Sequence, residues 1–244
     1  MELTESLTFN HKDRRDIYNY VERHGTVRED EVRRALNLDP TALGHHVAVL
    51  RRDGYVRKEG DTLEIAYQEA DAEQHEVDDI DFTIRTASQK DLSGLIGVIR
   101  TVAKEGSYIE AETVAAMINH EEVVLRHNEV RSRMFFVATV NDDVIGWVHL
   151  DLPEAEKLSH TAVLTVGLIP EYRGHGIGST LLDRGVEWAR KRGFEKLYNS
   201  VPATNENAIE FLEAHGWATE AVRRDHYLIE GEYVDEVMMA VDLR

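Results

Sequence analysis

At 244 residues, 42% of them hydrophobic, the chain can fill one large core or two modest ones, and with no cysteine it excludes disulfides, thiolate metal ligands and a cysteine nucleophile. No apolar run reaches the length of a membrane span. The formal charge of −18 is uneven: residues 1–60 hold 11 basic and 11 acidic side chains, so all of it falls on the remainder, which predicts two domains of different electrostatic character.

The opening residues 1–6 have neither the basic n-region nor the apolar h-region of a leader, so the expected compartment is the cytoplasm, with no membrane partner. Arginine (21) outnumbers lysine (7) while Asp and Glu total 46, a balance expected of a protein adapted to a salty cytoplasm. Ile17, Tyr20 and Val21 at helical spacing predict a helix over 12–23, and a shorter helix covers 29–36 with Val32, Ala35 and Leu36 inward. Asp39 suits an N-cap and Pro40 the first helical position; the third helix they open turns Leu43, Val47 and Leu50 inward and ends at Gly54. Strands over 55–58 and 62–67 flank the turn Glu59-Gly60-Asp61.

Residues 41–56 of this pattern resemble the recognition helix of winged-helix transcription regulators of the metalloregulator and MarR type. The resemblance implies a winged helix-turn-helix domain over 1–69, with DNA as a partner and pairing into a homodimer. Thr41, Ala42, Gly44, His45, His46 and Ala48 would lie toward base edges, with Arg51, Arg52, Arg57 and Lys58 near phosphates. A neutral domain on an acidic body is a weak electrostatic match for DNA unless salt screens the repulsion, so protein contact or dimerisation is the alternative. His45 and His46 point about 100° apart on a helix, and no metal site is expected in the chain.

Residues 70–81 carry six acids in twelve positions and read as a solvated linker. The second domain, 82–244, opens with a strand over 82–86 and a helix from Ser88 with Leu92, Leu95, Ile96 and Ile99 on one face. A second helix is predicted over 111–126, then strands over 134–140 and 144–150. Next come a strand over 162–169, a helix ending near Arg192, a strand over 196–201, a helix over 205–215 and closing strands over 220–229 and 233–243.

The strand over 162–169 meets Pro170, which cannot continue a ladder, and is followed by Arg173-Gly174-His175-Gly176-Ile177-Gly178-Ser179 at the start of a helix. Glycines that let backbone approach a ligand, unsatisfied N–H groups and a guanidinium make an anion site suited to phosphate. No lysine follows Gly178, as a Walker A loop requires, and Pro170 and Arg173 interrupt the spacing of a dinucleotide fingerprint.

Arg-x-x-Gly-x-Gly after Ile-Pro-Glu-Tyr resembles the coenzyme A pyrophosphate loop of the GNAT acyltransferase superfamily, and Asn205-Glu206-Asn207-Ala208 through Gly216-Trp217 resembles a second block of that family. The resemblance implies an α/β GNAT acyltransferase fold, a mixed and splayed central sheet flanked by helices. It also implies acetyl-CoA as co-substrate and direct transfer of acetyl to a primary amine, on a protein or a small molecule. Backbone near Leu168 and Ile169, together with Asn205, would line the pantetheine arm. The tyrosine that often protonates the leaving thiolate in that family falls on Leu212, with Tyr227 or Tyr198 as substitutes. His149 and His160, imidazoles on central strands, are candidate bases. A regulator that senses acyl-CoA without turnover is the competing expectation.

Overall fold

The computed structural model describes residues 7–67, 72–104, 108–128, 131–153 and 155–244; parts of the expected first domain (1–6, 68–69) and linker (70–71) lie outside them. The N-terminal unit runs α1 (Lys12–His24), β1 (Val27–Arg28), α2 (Glu29–Leu36), α3 (Pro40–Arg52), β2 (Val56–Glu59) and β3 (Thr62–Ile65), its strands ordered β1-β3-β2. Asp39 caps α3 by accepting the N–H groups of Thr41 and Ala42, with Pro40 in the first turn. Ile17, Val21, Val32, Leu43, Leu50 and Leu63 meet in a small core of their own.

The larger unit runs β4 (Glu73–Val77), β5 (Ile80–Thr86), α4 (Leu92–Ala103), α5 (Ile109–Glu121), β6 (Arg126–His127), β7 (Arg131–Val140), β8 (Asp143–Pro153) and β9 (Thr161–Leu168). It continues with α6 (Ile177–Lys191), β10 (Lys196–Pro202), α7 (Glu206–Ala214), β11 (Ala218–Ile229) and β12 (Glu232–Asp242). One sheet holds these strands in the order β11-β12-β10-β9-β8-β7-β5-β4, with β6 on β7. Every neighbouring pair is antiparallel except β9 and β10, which α6 connects as a crossover. Two glycines permit the layering. A Cβ on Gly185 would lie 2.8 Å from Val148 Cγ2, so α6 settles directly on β8. A Cβ on Gly167 would lie 2.1 Å from the Trp147 ring, which fills that space instead.

The acidic stretch expected to be a linker is, over 73–77, an edge strand paired to β5. Asp78 and Asp79 form its turn with φ of 49° and 64°, the left-handed pair that suits a tight hairpin. Alternate residues explain why charge does not keep it in solvent: Glu73 meets Arg184 of α6 at 2.9 Å and His75 stacks on Phe82. Helix α5 stops at Glu121 rather than 126, because the buried Arg133 takes the Val124 carbonyl through Nε at 2.9 Å and pairs with Glu121.

The two units are bonded to each other. Glu22 of α1, 4% exposed, accepts from Arg126 Nη1 at 3.1 and 3.2 Å and from Asn128 Nδ2 at 3.0 Å. Tyr18 donates to the His127 carbonyl at 2.9 Å, and Tyr67 packs against both cores.

Candidate functional site

Strands β9 and β10 pair only where Thr161, Ala162 and Val163 face Lys196, Leu197 and Tyr198. Beyond that they part, while β9 stays on β8 to its end: Leu168 lies opposite Gly146, and Ile169 N–H donates to Ile145 C=O at 3.0 Å. Because neighbouring residues of a strand turn their N–H and C=O groups to opposite sides, Val166 and Leu168 aim theirs into the gap. Val166 N–H donates to the Tyr108 hydroxyl at 3.2 Å. Asn199 of β10 lies beside the same hydroxyl, and its Oδ1 is buried without a hydrogen-bond partner. Tyr108 therefore spans the opening between the two strands, and burial pushes its pKa up to about 12.

The loop at the end of β9 turns on Gly174 and Gly176, whose φ values of 84° and 80° disfavour any side chain. The ladder of α6 begins where Thr180 N–H reaches Gly176 C=O at 3.1 Å, leaving the N–H groups of Ile177, Gly178 and Ser179 outside it. A Cβ on Gly178 would lie 3.9 Å from Phe211, so α7 runs beside this helix start. Arg173 folds back to donate through Nε to Leu168 C=O at 2.9 Å, and His175 pairs through Nδ1 with Asp78 of the β4–β5 turn at 2.9 Å. A diphosphate fits here by chemistry, facing amide donors, a helix N-terminus and a guanidinium.

Residues 103–217 match the model of the "Acetyltransferase (GNAT) family". An uncharacterised N-acetyltransferase of Methanocaldococcus jannaschii is 33% identical over 91 residues, 36% of this chain and 40% of that protein. An L-amino acid N-acetyltransferase of Escherichia coli is 27% identical over 108 residues, 43% of this chain and 65% of that protein. The chain thus spans 40% and 65% of the lengths of these two relatives. An acetyltransferase structure from Salmonella typhimurium, solved with its cofactor acetyl-CoA, superposes with a TM-score of 0.54 at 19% identity, covering 67% of this chain and 94% of that one. The larger unit therefore has the fold of solved acetyltransferases, and within it residues 103–217 match the GNAT family model.

Beside the gap lies a polar cluster that the sequence does not reveal. Glu236 of β12, 2% exposed, meets Arg223 Nε at 2.7 Å and His226 Nε2 at 3.7 Å, and its Oε1 accepts from the Tyr227 hydroxyl at 3.3 Å. Glu110, at the start of α5, faces the same group; burial first, then the Glu236 charge, raise its pKa. Tyr227 is likewise raised, by burial and then by Glu236. Glu236 lies opposite Pro202 at the far end of β10, on the side where β9 has departed.

The expected site residues scatter accordingly. Leu168 borders the gap, but the Ile169 amide is consumed by β8, because it sits one residue out of phase. Asn205 caps α7 by accepting from Ala208 N–H at 3.2 Å. His160 is exposed at the zipped end, where its carbonyl holds Glu195 and Lys196; from there to Val166 is about 20 Å of strand, so it is not a base for chemistry in the gap. His149 is buried, stacked on Phe135 and 3.4 Å from Thr165 Oγ1. Tyr198 belongs to the last zipped pair, under Lys196, and Leu212 is core. Only Tyr227 joins the polar cluster.

On α3 of the N-terminal unit, Thr41, Gly44, His45 and Ala48 are exposed, but His46 is buried, its imidazole turned toward His11 and Asp13. Three cations expected at phosphates are already held by acids: Arg52 by Asp53 at 2.8 Å, Arg57 by Glu64 at 2.6 Å and Lys58 by Glu29 at 2.6 Å. Arg51 is exposed. No helix among the described residues is long and apolar enough to cross a membrane.

Proposed function

We propose that the GNAT domain transfers acetyl from acetyl-CoA to a primary amine by direct attack, with no covalent enzyme intermediate. The observation that carries this reading is the Val166 N–H, turned into a gap between parted strands and already bonded to an oxygen. Tyr108 supplies that oxygen in the structure and holds the place of a thioester carbonyl; the amide would polarise the carbonyl when it replaces the hydroxyl. Arg173 and the N–H groups from Gly174 to Ser179 would hold the diphosphate, and Asn199 Oδ1 offers a buried acceptor to an amide of the pantetheine arm.

An amine attacks only when neutral, and a lysine amine has a pKa of about 10.4, an α-amine about 8. Glu110 and Glu236 are two desolvated carboxylates that favour a cationic acceptor and can take its proton, directly or through water. The amine nitrogen bonds to the carbonyl carbon, the carbon–sulfur bond breaks, and the thiolate leaves with a hydrogen bond from Tyr108. Thiol release from acetyl-CoA across a panel of lysine peptides, free amino acids and polyamines tests the reading. Release with at least one amine supports it; tight coenzyme A binding with release on none favours an acyl-CoA sensor. An Arg173→Ala, Gly176→Asp variant should lose coenzyme A binding in calorimetry, and unchanged affinity would reject the loop assignment.

We further propose that residues 7–67 are a winged helix-turn-helix. Supporting this are the order α1-β1-α2-α3-β2-β3 and the exposed face of α3 at Thr41, Gly44, His45 and Ala48. With three of its cations paired, such a domain should bind duplex DNA with a shallow salt dependence. Fluorescence anisotropy with random and genomic duplexes at several salt concentrations checks this; no binding at any of them would leave a protein-contact role.

A further inference from the structure

We infer that His11, Asp13 and His46 form a divalent transition-metal site that joins the start of α1 to α3. Ligand atoms from the three side chains lie within 4.8 Å of one another. His46 Nε2 is 3.5 Å and His11 Nδ1 3.8 Å from the same carboxylate oxygen, Asp13 Oδ2, and the two imidazole rings are 4.6 Å apart at their centroids. Around a zinc ion with bonds of about 2.1 Å, tetrahedral ligands sit about 3.4 Å apart, so both contacts to Asp13 are close to the separation required.

A second observation is independent of the cluster. His46 is 7% exposed and its Nδ1 has no hydrogen-bond partner, although buried polar nitrogens are rarely left so. Turning the ring by half a rotation exchanges Nδ1 with a carbon and presents either nitrogen to the cluster. His11, with a side chain 48% exposed, gives up only the hydrogen bond its Nδ1 accepts from Asp13 N–H at 3.1 Å.

Two imidazoles and one carboxylate, with no thiolate, suit Zn²⁺, Co²⁺ or Ni²⁺ over Ca²⁺ or Mg²⁺, and leave a solvent-facing position for water. The ion would fix α1 against the helix that exposes Thr41 and His45. Nothing in this site draws on the acetyl-transfer reading.

The test uses the full chain, stripped with a chelator and titrated with Zn²⁺ in competition with a chromophoric chelator. One equivalent should bind, and His46→Gln, Asp13→Asn and His11→Gln should each weaken it about tenfold or more. Co²⁺ should give visible absorption bands that these variants lose. His11 and Asp13 are exposed enough for their variants to fold, which circular dichroism and unchanged acetyl-CoA binding would verify. Absence of an equivalent in the wild type, or equal affinity in the His11→Gln and Asp13→Asn variants, overturns the site.

Discussion

Replacing Tyr108 by phenylalanine removes one hydroxyl and keeps the ring. That oxygen accepts from Val166 N–H at 3.2 Å, so the amide loses its partner in the ligand-free protein. A net hydrogen bond contributes about 0.5–1.5 kcal/mol and a buried orphan costs about 1–3 kcal/mol, so a loss of about 2 kcal/mol is expected. For a unit of this size, where each kcal/mol shifts Tm by about 2–4 °C, scanning fluorimetry should show a fall of about 4–8 °C. Bound acetyl-CoA should recover part of that fall, since a thioester carbonyl re-occupies the Val166 amide. Thiol-release kinetics read the chemical role. Loss of a proton or hydrogen-bond donor to the leaving sulfur should lower kcat about 10²-fold, with KM for acetyl-CoA unchanged or lower, because the competing hydroxyl is gone. A variant with the lowered Tm but a kcat within twofold of wild type would refute the catalytic role and leave Tyr108 a plug between strands.

Gly167→Ala forces a Cβ to 2.1 Å from the Trp147 ring, and overpacking of this kind should cost about 3 kcal/mol, read as a lowered denaturant midpoint; an unchanged midpoint would mean the ring can move aside. Glu22→Ala strips Arg126 of one of two carboxylates and removes the hydrogen bond from Asn128 Nδ2, so about 3 kcal/mol should be lost and protease cleavage between the units should accelerate; Glu121 still neutralises Arg126. Glu110, its folded pKa raised above 4.5, destabilises the protein increasingly as pH rises from that value through its folded pKa and fully above it. Glu110→Gln should therefore match wild type in Tm at low pH and exceed it near pH 7, while acetyl transfer falls and its acidic pH limb shifts; a Tm below wild type at pH 7 contradicts the burial argument.

Much of the fold was legible because its signals are local. Asp39-Pro40 announces α3, Pro170 ends β9, and Gly174 and Gly176 occupy positions whose φ favours glycine. The gap was legible only through the family resemblance, not from the residues, since the parting of β9 from β10 depends on which residues of two distant strands pair. Tyr108 lies between two helical patterns with no motif around it; Asn199 and Glu110 come to it, and Glu236 to Glu110, only through the tertiary fold. His160 misled because position on a central strand was read without knowing which end of the strand opens. His46 misled because helical phase shows which way a side chain points but not that His11 and Asp13 wait there.

Strand β4 has a practical consequence for anyone dividing this chain. A fragment begun at residue 82, the apparent border, or at 103, where the family match starts, would discard the hairpin partner of β5 and the Asp78 carboxylate that steadies His175. The raw flank of β5 would then be open to stick to its own copies, and failure of such a fragment to stay dispersed would say nothing about the intact protein. Cutting just ahead of Glu73 keeps the seam closed.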